Sequence, residues 1–157
     1  MPPDFEQVIT ANRARIRAIA RRYADEGAED DLYQEILEQL WRSFGQFEGK
    51  SAATTWVYRV GFNTAMTRLR KTIKQREGER KLHTFKQADP AHSERCHGEI
   101  LEDFLQSLND IDASVLMMYL DNLSGSEIAA VLGVPLNSVE VRISRLKKAF
   151  AQRYVEV

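Results

Sequence analysis

Six side chains near the carboxy end, Asn137, Glu140, Val141, Ser144, Arg145 and Lys148, recur at helical spacing on one face. Together they carry the donors, acceptors and apolar contact by which base edges in a duplex are read. The same stretch places Val139, Ile143, Leu146 and Phe150 on the opposite face, so the spacing predicts a helix with one side in a core. A shorter helix precedes it. Ser124 and Glu127 have capping-box spacing, Ile128, Val131 and Leu132 make an apolar stripe, and Ala129 is small enough to admit a close neighbour. Gly133-Val134-Pro135 ends that helix, and Asn137 with Glu140 repeats the cap spacing as if opening the next. Two short helices on a tight turn predict a helix-turn-helix whose second helix enters the major groove. The plainer alternative is a helical hairpin with Arg142, Arg145, Lys147 and Lys148 as a solvated face, which leaves the paired cap signals around a Gly-x-Pro turn unexplained.

A second group is Trp56, Tyr58, Arg59 and Asn63, followed by the basic run Arg68, Arg70, Lys71 and Lys74. Aromatic rings among cations suit single-stranded DNA, because bases stack while phosphates are neutralised. For Trp56 alone, a place in the core is an equal alternative. A third group, Asp30, Asp31, Glu35 and Glu38 with Gln34, forms an acidic helical face. No histidine completes the Glu-x-x-His arrangement of bundle metal sites, so docking on a basic protein surface is the preferred role for Asp31, Gln34 and Glu35. The cluster His92-x-x-x-Cys96-His97, with His83 nearby, lacks the second cysteine pair of a structural zinc knuckle. No Gly-rich phosphate loop and no Ser-centred elbow occur, and nothing sets a base beside Cys96. The expectation is a binding protein with no catalytic residues, metal or cofactor.

The elements that must position these groups are all helical. Phe5, Val8, Ile9, Ile16, Ile19, Ala20 and Tyr23 share a stripe over residues 4–24, and Gly27 breaks the pattern. A second helix runs from Glu29 to Phe44 with Leu32, Ile36, Leu37, Leu40 and Phe44 inward. After a polar loop from Gly45 to Ala52, a third runs from Ala53 to Ile73. It has Val57, Val60, Thr64, Leu69 and Ile73 inward and Trp56, Arg59, Asn63, Met66 and Arg70 on the opposite strip. Periodicity is lost from Lys74 to His97 and resumes with Ile100, Leu101, Phe104, Leu105 and Leu108, then Val115, Leu116, Tyr119 and Leu120. No alternating β pattern and no internal repeat is present. The expected fold is all-α, with domains over residues 1–73 and 98–157 and a linker over 74–97.

A net charge of −1 over 157 residues would disfavour nucleic acid if charge were evenly spread, but it is segregated. Residues 24–49 hold eight acids against Arg42, whereas residues 59–86 hold nine bases against Glu77 and Glu79. Residues 87–127 are acidic again and the last helix is basic. Two basic zones predict two DNA-facing surfaces, with acidic surfaces left for a protein partner. The hydrophobic fraction of 43% suffices for a core. No apolar run approaches the roughly 18 residues of a membrane span, and MPPDFEQV does not read as a signal sequence. With a single cysteine, a reducing, cytoplasmic setting without membrane insertion is expected.

The order of these pieces resembles the extracytoplasmic-function (ECF) class of the sigma-seventy family, the promoter-recognition subunits of bacterial RNA polymerase. Asp30-Asp31-Leu32-Tyr33-Gln34-Glu35 with Leu40-Trp41 is similar to that family's region two. Thr55-Trp56-Val57-Tyr58-Arg59-Val60-Gly61-Phe62-Asn63 with Arg68-Leu69-Arg70 is similar to its continuation, and Leu123 to Phe150 resembles the region four helix-turn-helix. The resemblance implies that Asp30, Asp31, Gln34 and Glu35 dock on the clamp coiled coil of the largest polymerase subunit, while region four meets the flap. It implies that Lys50, Ser51, Trp56, Arg59, Asn63, Arg68, Arg70 and Lys71 open and hold the minus-ten element, with a base flipped into a pocket of the preceding loop. Asn137, Glu140, Val141, Ser144, Arg145 and Lys148 would then read the minus-thirty-five duplex, and residues 74–97 would thread through the polymerase. An anti-sigma factor is a further implied partner. Family members often carry a basic residue in place of Glu140 and an Asp in place of Thr67. Glu140 could accept from a cytosine amino group and Val141 could touch a thymine methyl, or Glu140 could serve as cap partner of Asn137. The competing class is a stand-alone helix-turn-helix regulator with a helical sensor domain, which gives no reason for the basic, aromatic third helix.

Overall fold

The computed structural model describes residues 4–47, 52–76 and 97–155. Lys50, Ser51 and residues 77–96, with His83, His92 and Cys96, lie outside that set. Among the described residues there are seven α-helices and no strand. The chain divides into two compact units, residues 1–81 and 82–157.

The first unit packs α1 (Phe5–Tyr23), α2 (Glu29–Ser43) and α3 (Ala53–Arg76) against one another. Asp4 opens α1 with a capping box: its carboxylate accepts from the Gln7 amide at 2.8 Å and Gln7 accepts in return from the Asp4 amide. Ile16 and Ile19 of α1, Leu32, Ile36 and Leu40 of α2, and Val57 of α3 are fully buried. α3 approaches α1 at Gly61, where a Cβ would stand 2.7 Å from Ile19 Cδ1. A larger residue there must displace that methyl, the far end of the Ile19 side chain. Arg17 ties α1 to α2 from outside, with its guanidinium 3.9 Å from the centre of the Tyr33 ring and 2.7 Å from Asp30 Oδ1.

Two boundaries differ from the sequence expectation. α2 ends at Ser43, and a single 3-10 turn, Phe44–Gln46, occupies what periodicity assigned to helix end and loop. α3 continues to Arg76, through residues read from sequence as linker. The polar composition of Lys74–Arg76 removes the apolar stripe without removing helix propensity, and Lys, Gln and Arg are good helix formers.

The second unit comprises α4 (His97–Ser107), α5 (Asp110–Leu120), α6 (Gly125–Leu132) and α7 (Leu136–Tyr154). Ala113 to Met118 of α5 are all buried, so this helix lies at the centre, with α4, α6 and α7 against it. Asn109 caps α5 by accepting from the Asp112 amide at 2.8 Å. The expected capping box of Ser124 and Glu127 opens α6 at Gly125, and Gly133 closes it with φ 68°. That left-handed position favours glycine, and the Gly133 amide donates to Ala129 O at 2.8 Å.

The second cap read from sequence is not formed. α7 starts two residues earlier, with Pro135 as its N-cap; the extended backbone of Pro135 (φ −64°, ψ 148°) turns the chain and its carbonyl accepts from the Ser138 and Val139 amides. Asn137 is already inside the first turn, so its side chain does not cap, and Glu140 is not its cap partner.

The Gly61 contact yields a test. Gly61→Val should destabilise the first unit by about 1–3 kcal/mol through overpacking against α1. Because the obstacle is the terminal methyl of Ile19, the double variant with Ile19→Val should be more stable than the sum of the single effects, read by denaturant titration as a favourable coupling.

Candidate nucleic-acid interface

The outward strip of α7 exists only because its other side is held. Val139 and Leu146 are buried, Ile143 is half-buried, and Arg142 Nη1 donates to Asp112 Oδ1 on α5 at 2.7 Å. Asp112 is a positioning residue that sequence reading missed; the Asn109-x-x-Asp112 cap spacing was its only visible signal. The pair fixes the rotation of α7 about its axis and withdraws Arg142 from the outward face. All six side chains expected to face a duplex, Asn137, Glu140, Val141, Ser144, Arg145 and Lys148, are exposed. Arg145 and Lys148 form no ion pair among the described residues, so their charge is available to an external anion.

In the first unit, the residues expected at the minus-ten element do not share one surface. Arg59, Asn63 and Arg70 are exposed at i, i+4 and i+11 of α3, one strip of the helix, with Thr67 beside them and Met66 half-buried. None of these three polar groups has a partner among the described residues. Arg68 lies about half a turn away. It faces α2, where Nη1 is 3.3 Å from Glu35 Oε2. Lys71 is exposed but off the strip.

Trp56 is corrected outright as an exposed stacking platform. It is 6% exposed and stacks on Phe47 at 4.9 Å between ring centres, with Phe44 at 6.0 Å. Tyr58 is likewise buried, stacked on Phe62 at 5.4 Å, and Phe62 meets Tyr23 of α1 edge-on. Helical periodicity put Trp56 beside Arg59 and Asn63. At the start of α3, however, Thr55, Trp56, Val57 and Tyr58 are all buried, and Phe44 and Phe47 cover the Trp56 ring that would otherwise be open. The role of Trp56 here is to anchor the chain entering the loop before α3. Among the described residues of this unit, the large exposed aromatic is Trp41 on α2, 65% exposed and edge-on to Phe5 at 5.0 Å.

The acidic face of α2 is also divided. Asp31 and Gln34 are exposed without partners among the described residues. Asp30 pairs with Arg17, Glu35 with Arg68, and Glu38 with Arg42 at 2.6 Å. The Asp30 and Glu38 pairs are exposed and contribute little stability, so their partners are exchangeable.

Two family models cover most of the chain: Sigma-70 region 2 matches residues 8–75, and Sigma-70 region 4 matches residues 98–150. The chain belongs to the sigma-70 family. The ECF RNA polymerase sigma-E factor of Escherichia coli strain K12 is 26% identical, over 92% of this chain and 83% of that protein. The sigma-E factor of Haemophilus influenzae is 25% identical over 92% and 84%. Two solved structures share the fold. The sigma factor RpoE in complex with the anti-sigma factor NepR from Bartonella quintana has TM-score 0.78 and 19% identity over 95% of each chain. CnrH in complex with the cytosolic domain of CnrY has TM-score 0.63 and 20% identity over 94% of this chain and 85% of that one. This sigma factor is of the ECF type, which removes the stand-alone regulator as an alternative. Its region 2 comprises α1 to α3, and its region 4 comprises α4 to α7. No helix among the described residues is long and apolar enough to cross a membrane.

The divided α3 predicts a contrast. Trp56→Ala should lower the stability of region 2 by about 3–5 kcal/mol, as for a core aromatic. Arg59→Ala should change stability by less than about 0.5 kcal/mol. It should nevertheless weaken binding of a single-stranded minus-ten oligonucleotide to the polymerase complex. Thermal unfolding and oligonucleotide binding on both variants separate the two roles.

Proposed function

We propose that this ECF sigma factor, in directing promoter recognition, melting and transcription initiation, divides the work among three separate surfaces. The outward strip of α7 takes the minus-thirty-five element as duplex. The strip Arg59, Asn63 and Arg70, joined by Lys71 and by Lys50 and Ser51 of the preceding loop, takes the opened minus-ten strand. Asp31 and Gln34 meet the clamp coiled coil of core polymerase, with Asp30 and Glu35 able to exchange their internal partners for basic ones there. Arg68 acts at the junction of these two surfaces through Glu35, and Trp56 acts by holding the loop. The polymerase performs the chemistry, and the sigma factor contributes binding energy and specificity in the cytoplasm, without a cofactor.

The observation carrying this reading is the sorting of charge by partner. Arg17, Arg42, Arg68 and Arg142 are paired inside their own units, whereas Arg59, Arg70, Lys71, Arg145 and Lys148 have no partner among the described residues. Arg13 on α1 is exposed and unpaired as well, but the other five gather on α3 and on the outward face of α7, which fits a polyanion bound at two places. Region 4 also carries an apolar groove of about 360 Å³ lined by Leu101, Phe104, Leu116, Leu120, Ile143 and Phe150, with Lys147 over the Tyr119 ring at its rim. Its chemistry suits an apolar helix, from the polymerase flap or from an anti-sigma factor of the kind bound in the related RpoE structure.

Replacing Asp31 and Gln34 together with Ala should abolish co-migration with core polymerase while leaving the circular dichroism spectrum unchanged. Retained co-migration would move the docking face elsewhere. Arg145→Ala should weaken promoter binding by about 1–3 kcal/mol if its guanidinium reads a base. Run-off transcription at limiting sigma factor measures it, and an unchanged transcript level removes Arg145 from the readout.

A further inference from the structure

Of the six outward side chains on α7, Glu140 is the one that a phosphate backbone repels. Its carboxylate is exposed and has no hydrogen-bond or ion-pair partner among the described residues. The role that would have accounted for it, a cap with Asn137, is absent because Pro135 is the N-cap of α7 and Asn137 lies inside the first turn. The nearest arginine in sequence, Arg142, is turned to Asp112 at 2.7 Å and does not neutralise it. Glu140 therefore enters any complex as a free anion.

Its place on the helix limits what it can meet. Recognition helices present the residues of their amino-terminal half to base edges, and Glu140 is the fifth residue of α7, one turn before Ser144 and Arg145. In the major groove the donors are the amino groups of cytosine and adenine. Adenine sets its N7 acceptor beside that donor and so repels a carboxylate, whereas cytosine presents its N4 amino group with no acceptor of its own beside it. We propose that Glu140 is a specificity-determining residue that selects cytosine at one position of the duplex bound by region 4. This rests on reading the outward face of α7 as the duplex-binding surface. The selection works by exclusion: phosphates disfavour the carboxylate on every sequence, and only a facing amino group offsets that repulsion.

The test uses the full chain with core polymerase and a competition among promoter duplexes randomised across the upstream element. The wild-type protein should prefer cytosine at one position by about tenfold. Glu140→Ala should flatten that position alone, and Glu140→Gln should shift it toward adenine, which an amide pairs with at N6 and N7. Both should raise binding to unrelated duplexes, because the repelling charge is gone. Lys148→Ala serves as the control for the face and should weaken all duplexes alike, with a shallower salt dependence. The proposal is overturned if both Glu140 variants keep the wild-type preference at every position, or if they weaken all sequences equally, which is the mark of a helix support. If Lys148→Ala changes nothing as well, the duplex-binding face is itself misassigned and the proposal falls with it.

Discussion

In units this small, each helix must bury one side to be stable, and function is confined to what remains outside. Rotation of a helix about its own axis is therefore the quantity on which the sigma factor depends. In region 4 the rotation of α7 is set by Val139 and Leu146 in the core and by the Arg142–Asp112 bond at the margin. Asp112 is itself held in the first turn of α5 by Asn109. A cap, an ion pair and two apolar side chains thus decide which six residues face outward.

Region 2 solves the same problem with aromatic rings. Trp56, Tyr58 and Phe62 fill the space among the helices, and the Phe44–Phe47 segment closes over Trp56. With the rings inside, the exposed strip of α3 is left to Arg59, Asn63 and Arg70, which are hydrogen-bond donors without an internal partner. Aromatic and cationic residues that alternate in sequence separate in space, the first to stability and the second to binding.

Arginine is used in two ways. Where a carboxylate stands across a helix interface, as for Arg68 and Glu35, it closes the interface; where none does, as for Arg59 and Arg145, it stays free. A partly covered pair such as Arg68–Glu35, with side chains 30% and 40% exposed, is weak enough to be remade when a stronger counter-charge approaches. That pair links the acidic face of α2 to the basic helix α3.

The chain alone determined the all-helical class, the helix-turn-helix and the outward face of its second helix, because helical period and capping chemistry are local. The Ser124–Glu127 box and Gly133 are legible since every atom involved lies within a few residues. Only the tertiary structure decided that Trp56 is buried, that Arg68 turns to Glu35 while Arg59 does not, that Arg142 is withdrawn by Asp112, and that Pro135 rather than Asn137 opens α7. The first three depend on which side chain stands across an interface between helices, and the last on how the chain leaves α6. Spacing along one helix carries no information about what another helix brings to meet it.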